Sequence, residues 1–204
     1  MSTVKVAVSG ILSGVPKLWD ATIEAHRAAV RDAILDATVA LVAERGLRGV
    51  TMADVAARAG IGRATLYKYF ADAEAILRAW HEREIGRHLA EVGTIAEGPG
   101  EPAARLAAVL ERYARNAQAG RGGHDAELAS VLHRDEQVIA ARHRLRRLVA
   151  GLIAEAAAGG AVRDDLTPDE MAAYALHALG AAGELRSTGA VRRLVSLTLA
   201  GLRP

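Results

Sequence analysis

Four side chains able to grip a phosphate or a base edge fall within six residues: Arg63, Thr65, Tyr67 and Lys68. An arginine fork matches guanine O6 and N7, a lysine supplies a point charge for phosphate, and the hydroxyls both donate and accept. Ala64 stands among them, small enough to let a helix sit deep in a groove. Other chemistries have no such concentration. The chain has no Cys, which excludes disulfides, thiolate metal sites and a Cys nucleophile. His133, His143 and His177 lie too far apart for metal-ligand spacing, and no His-x-x-x-His occurs. There is no Gly-rich phosphate loop, nucleophile elbow or paired-carboxylate motif. The sequence therefore gives an enzyme little to work with, and neither a metal nor a cofactor is expected.

Those donors need a helix to array them, and that helix needs a partner. Thr51-Met52-Ala53-Asp54 places a hydroxyl and, three residues on, a carboxylate where the free N–H groups of a first turn must be satisfied. The helix so opened is short, because Ala59-Gly60-Ile61-Gly62 interrupts it; a second runs from Arg63 to Phe70. A capped helix, a turn with glycine and a second short helix have the dimensions of a helix-turn-helix. Ala56, Ala57, Ala59 and Gly60 would let the pair cross closely, with Val55, Ile61, Leu66 and Phe70 facing inward. Arg63, Ala64, Tyr67 and Lys68 then face outward, with Thr65 near the edge. A structural helix pair would share much of this pattern.

The rest of the chain is also helical. Ile34, Leu35, Thr38, Val39, Leu41 and Val42 make one face of a helix over 17–45 that ends at Arg45-Gly46, with a break possible near Trp19 to Glu24. Asp72 caps a helix whose stripe runs from Ile76 to Val92, and Gly93 to Pro102 reads as a loop. Further helices are expected at 102–119, 124–133, 135–158, 167–182 and 191–202, the fourth opened by Thr167-Pro168-Asp169-Glu170. No strand pattern competes. Only 3% of the residues are aromatic, so Ala, Leu and Val carry the apolar mass, and an all-α fold follows.

Charge narrows the partners. There are 26 Lys and Arg against 24 Asp and Glu, so any nucleic-acid contact comes from a local patch. Arg142, Arg144, Arg146 and Arg147 form the densest basic run, yet Leu145, Leu148, Val149, Leu152 and Ile153 give that helix a buried stripe and leave the arginines on a solvated face. No run of about 18 apolar residues could span a membrane. The mildly apolar Val6 to Val15 reads as a loose arm rather than a leader, which points to the cytoplasm.

The order of residues adds to the pattern. Ala33 to Ala37, Gly46, Val50 to Ala56 and the run Ala59-Gly60-Ile61-Gly62-Arg63-Ala64-Thr65-Leu66-Tyr67-Lys68-Tyr69-Phe70 resemble the N-terminal DNA-binding domain of the TetR/AcrR family of bacterial transcription regulators. The resemblance covers about residues 30–80. It implies an arm and helix start over 1–23, a three-helix helix-turn-helix domain over 24–71, and a helical effector-binding and dimerisation domain over 72–204, joined by a helix at 72–92. It further implies a homodimer on double-stranded, palindromic operator DNA, released by a small-molecule effector; an activator or adaptor with the same fold is the alternative. By position, Thr51 would cap its helix and touch a phosphate, and Thr65, Tyr67 and Lys68 would contact backbone or bases. Two residues depart from the family pattern: Gly62 stands where Ser or Thr is common, and Ala73 where Lys often holds a phosphate. Arg48 or the helix N-terminus at Asp72 to Glu74 is a candidate to replace that contact. In the C-terminal half, Tyr113, His133, Tyr174 and His177 are candidate polar groups of an effector pocket. Two stripes with small residues suit a dimer interface: Ala172, Ala175, Ala178, Leu179 and Ala182 on one helix, Val191, Leu194, Val195, Thr198 and Leu202 on the next.

Overall fold

The computed structural model describes residues 15–46, 49–119 and 136–204. Among them there are eight α-helices and no strand. In chain order these are α1 (Val15–Arg45), α2 (Met52–Arg58), α3 (Arg63–Tyr69), α4 (Ala73–Ala96), α5 (Pro102–Ala119), α6 (Glu136–Ala158), α7 (Pro168–Gly180) and α8 (Thr188–Ala200). A 3-10 turn, Ala181–Glu184, follows α7. The chain divides into two compact units, Met1–Leu77 and Arg78–Pro204. The arm, Arg48, His133 and the helix expected at 124–133 lie outside the described residues.

In the first unit α1 packs on α2 and α2 on α3. The helix-period stripe of α1 explains this: Ile34, Leu35, Leu41 and Val42 are buried, and so are Val55 and Ala56 of α2 and Leu66 of α3. Thr38 shares that buried stripe and satisfies its hydroxyl by donating to the Ile34 carbonyl at 2.8 Å. α1 runs without a break through Trp19 to Glu24.

In the second unit α5 is the central helix, touching α6, α7, the 3-10 turn and α8. Its buried residues Leu106, Val109, Leu110 and Ala114 follow the helical period and meet Val149, Leu152 and Ile153 of α6 in one core. The stripes expected to join two subunits are part of that core. Ala172, Ala175 and Ala182 are 0% exposed and Val191, Val195 and Thr198 are buried with them. Small residues do allow close approach here, but within this chain's own core. The large apolar side chains left outside on these helices are Tyr174 (49% exposed) and Leu197 (68% exposed).

Three boundaries differ from expectation. α4 does not stop at Val92 but continues to Ala96, with Gly93 inside it. A helical glycine weakens a helix by about 1 kcal/mol relative to alanine without breaking it; Val92 and Ala96, buried on the core side, hold this turn. The chain turns instead at Gly98–Gly100, where Gly100 takes φ +117. α7 ends at Gly180, short of the expected Ala182, and gives way to the 3-10 turn. α8 starts at Thr188 rather than Val191, because the Ser187 side chain accepts from the Ala190 N–H at 3.2 Å and caps it.

Candidate nucleic-acid interface

The first element of the site is a closed capping box. Thr51 Oγ1 accepts from the Asp54 N–H at 3.2 Å, and the Asp54 carboxylate accepts from the Thr51 N–H at 3.3 Å and from its hydroxyl at 2.6 Å. That hydroxyl holds the Asp54 carboxyl below the usual carboxylate range, and the Arg45 guanidinium at 3.3 Å adds to the effect. Arg58, at the far end of α2, forms a two-pronged pair with Glu44 of α1. α1 thus offers an acid and a base side by side, and α2 answers with the base and the acid in reversed order. Both pairs are surface contacts, weakened by the solvent around them.

α2 ends in a left-handed residue. Gly60 has φ +69, and its neighbour Ile61 donates from its N–H to the Ala56 carbonyl at 3.0 Å, closing the helix end. A Cβ at Gly60 would meet nothing within 4 Å, so the demand for glycine is conformational. Gly62 then caps α3 through its carbonyl, which accepts from Leu66 N–H at 3.0 Å; no side chain caps this end.

α3 is two-faced. Leu66 and Phe70 are buried, whereas Arg63, Ala64, Tyr67 and Lys68 are exposed and Thr65 is half-buried at the margin. Positions 63 and 67, and 64 and 68, lie one turn apart and share the outer face. Neither Arg63 nor Lys68 has an ion-pair partner among the described residues, although Arg45 and Arg58 nearby are both engaged. Of the residues expected to face inward, Ile61 is only half-buried; of those expected at the helix crossing, Ala57 and Gly60 are exposed and Ala59 is half-buried. Ala56, also expected at the crossing, is buried at 2% exposed.

One contact here has no sequence signature. Arg31 of α1 lies over the Phe70 ring, 4.9 Å from its centroid, a cation–π contact that fixes the end of α3. Its partners are 39 positions apart, so no local spacing could have revealed it.

In the second unit, Tyr113 and His177 line one cleft of about 550 Å³ between α5, α6 and α7, together with Arg142, His143 and Arg146. Tyr174 is not among its lining residues. Its hydroxyl lies instead over Gly201, where an added Cβ would come within 2.9 Å of it. Of the basic run on α6, Arg142, Arg144 and Arg147 are exposed, and Arg146 is half-buried and paired with Asp169 at 2.7 Å. No group of three or more potential metal ligands exists among the described residues. No helix among them is long and apolar enough to cross a membrane.

A capped helix, a left-handed glycine turn and a second helix with a donor-rich outer face define a helix-turn-helix, ahead of a separate helical unit. Comparison with known proteins agrees. Residues 34–80 match the bacterial regulatory proteins of the tetR family, and residues 101–204 match the C-terminal domain of SbtR-like transcriptional regulators. The HTH-type transcriptional regulator Rv1255c of Mycobacterium tuberculosis H37Rv is 40% identical over 75 residues, a match spanning 37% of each chain and thus well under two thirds of that relative. A TetR/AcrR-family regulator from Thermobifida fusca superposes with a TM-score of 0.73 at 24% identity, over 85% of this chain and 98% of that one. The TetR regulator SCO0520 of Streptomyces coelicolor is 32% identical with a TM-score of 0.58, over 85% and 98% of the two chains. The chain belongs to the TetR family of DNA-binding transcriptional regulators.

Proposed function

We propose that the protein is a homodimeric repressor that holds a palindromic operator and leaves it when a small molecule binds. The observation that carries this reading is the outer face of α3, where Arg63 and Lys68 stand exposed and without an ion-pair partner among the described residues. Seated on the buried Leu66 and Phe70, that face is free to enter a major groove. Arg63, at the N-terminal end of α3, reads a base edge; Tyr67 and Lys68, further along, take phosphates, with Thr65 at the margin and Ala64 giving room. Thr51 and Arg48 add backbone contacts from the preceding segment. DNA reading belongs to residues 24–71, and effector binding and dimerisation to 72–204, with the helix at 72–92 carrying the coupling. Tyr174 and Leu197, exposed on α7 and α8, supply apolar surface for a second copy. The protein works in the cytoplasm, where operator DNA is.

Selection of bound fragments from random DNA tests the reading. The expected product is an inverted repeat whose half-site centres are about 34–36 Å apart or more, bound by a dimer. An effector is expected to weaken that complex about 5–150-fold. A monomer that binds a single half-site tightly would overturn the dimeric reading. A reporter driven from the selected operator separates repression from activation.

A further inference from the structure

The cleft between α5, α6 and α7 has a chemical bias. Its apolar surface comes from Leu145, Leu176, Ile139 and Ala173, and among the described residues no Asp or Glu lines it. Its polar groups are donors or cations: Tyr113, Arg142, His143, Arg146 and His177. These cations are not equivalent. Arg146 is neutralised by Asp169, which accepts from both its Nε and a terminal nitrogen. Arg142 has no ion-pair or hydrogen-bond partner among the described residues, so its charge is left to act on the cleft. Burial pushes the Tyr113 phenol up and the nearby Arg142 charge opposes it, so the hydroxyl remains a neutral donor beside that guanidinium. His177 is oriented by a 2.8 Å contact between its Nδ1 and the Ala173 carbonyl.

We propose that this cleft binds an anionic amphipathic small molecule, with a carboxylate or phosphate head at Arg142 and Tyr113 and an apolar body along Leu145 and Leu176. The assignment rests on the ligand-responsive reading above and names its ligand class. The volume, about 550 Å³, suits a single small ligand, and a head that brings negative charge supplies what the lining residues lack. A cationic ligand would meet like charge, and a neutral one would leave Arg142 uncompensated as it lost water.

The test is calorimetric titration of the full-length protein with octanoate, octyl phosphate, octanol and octylammonium, which share one apolar tail and differ in the head. At least one anion is expected to bind about tenfold or more tightly than octanol and octylammonium, and the tighter of the two anions identifies the head. Arg142→Gln should abolish that preference while leaving the thermal midpoint in place. Arg147→Gln, which removes the same charge from an exposed position of the same helix outside the cleft, should retain it. Octanol binding as tightly as both anions, binding by neither anion, or an equal loss in Arg147→Gln would each overturn the proposal. Operator affinity measured with saturating anion keeps the two readings apart. Binding without any change in operator affinity would uphold the cleft assignment and overturn effector release. Failure of both anions to bind, with operator binding intact, would overturn the cleft assignment alone.

Discussion

Helix α3 and helix α6 both carry arginine on an exposed face, and by charge density α6 is the stronger candidate for DNA. It has four arginines in six residues, Arg142 to Arg147, where α3 has one Arg and one Lys. What separates them is the surrounding residues. On α6 one arginine is bound by Asp169 and two line a cleft with Tyr113 and His177. On α3 the two cations share an outer face with Ala64 and the exposed Tyr67, and the helix is short, two-faced and held behind a capped partner. Small neighbours and a buried back make a helix insertable; a run of arginines alone does not. On the proposed reading, the number of basic residues is a poor guide to the DNA-reading surface, and the residues between them are a better one.

The comparison can be broken at its base. Leu66→Ala removes a side chain that is 0% exposed and should destabilise the first unit by ~2–5 kcal/mol. Circular dichroism melts should show an early transition, and operator binding should vanish while anion binding at the second unit persists. Full operator affinity in this variant would mean that the buried back of α3 does not matter for insertion.

A smaller effect divides the face itself. Arg63→Ala should relax preference at one base pair per half-site and cost ~1–3 kcal/mol there, whereas Lys68→Ala should weaken all sequences alike and lower the salt slope by about one per subunit. Selection of bound DNA with each variant distinguishes them. If Arg63→Ala keeps the wild-type preferences and only binds less tightly, Arg63 is a phosphate clamp.

Acid gives a weaker lever on the frame around that face. The Thr51 hydroxyl lowers the Asp54 carboxyl from its ordinary 3.8, and the Thr167 hydroxyl lowers Glu170 from 4.5. Because the folded values are depressed, the stability each box adds is fully present above those ordinary values. It is lost as pH falls through the lower folded ones. Asp54→Asn should flatten the part of the acid unfolding curve below about pH 4 that belongs to the first unit, and Glu170→Gln the part that belongs to the second. An acid limb unchanged in both variants would show that the boxes do not titrate with folding. The smallest expectation concerns α6: Arg144→Ala and Arg147→Ala should each change stability by no more than about 0.5 kcal/mol and leave the operator salt slope unaltered. A fall in that slope would reinstate α6 as a DNA contact.

Much of this was legible in the sequence because it is local. Thr51 with Asp54, Thr167 with Glu170, and the glycine at 60 act over three or four residues, and the structure places each where its spacing required. The family resemblance rests on the same stretch. What was not legible depends on packing between distant residues. The small residues of α7 and α8 announce a close approach but not to what, and here they meet α5 of the same chain. Gly93 reads as a break until Val92 and Ala96 are seen buried on either side of it. Ser187 is an ordinary cap signal, but the apolar stripe that marks the helix in the sequence begins only at Val191. Arg31 over Phe70, and Arg142 beside Tyr113, join residues whose separation in the chain carries no periodic mark.

The reciprocal pairing of Glu44 and Arg45 with Arg58 and Asp54 has a consequence for how such a protein changes its target. Those contacts, with Leu66 and Phe70, fix the frame without using a single outward atom of α3. Positions 63, 64, 67 and 68 can therefore be rewritten together, much as letters are reset in a fixed forme. A duplicated gene could drift to a new operator through these four codons while its frame stayed folded, and a designer could randomise them without first repairing the scaffold.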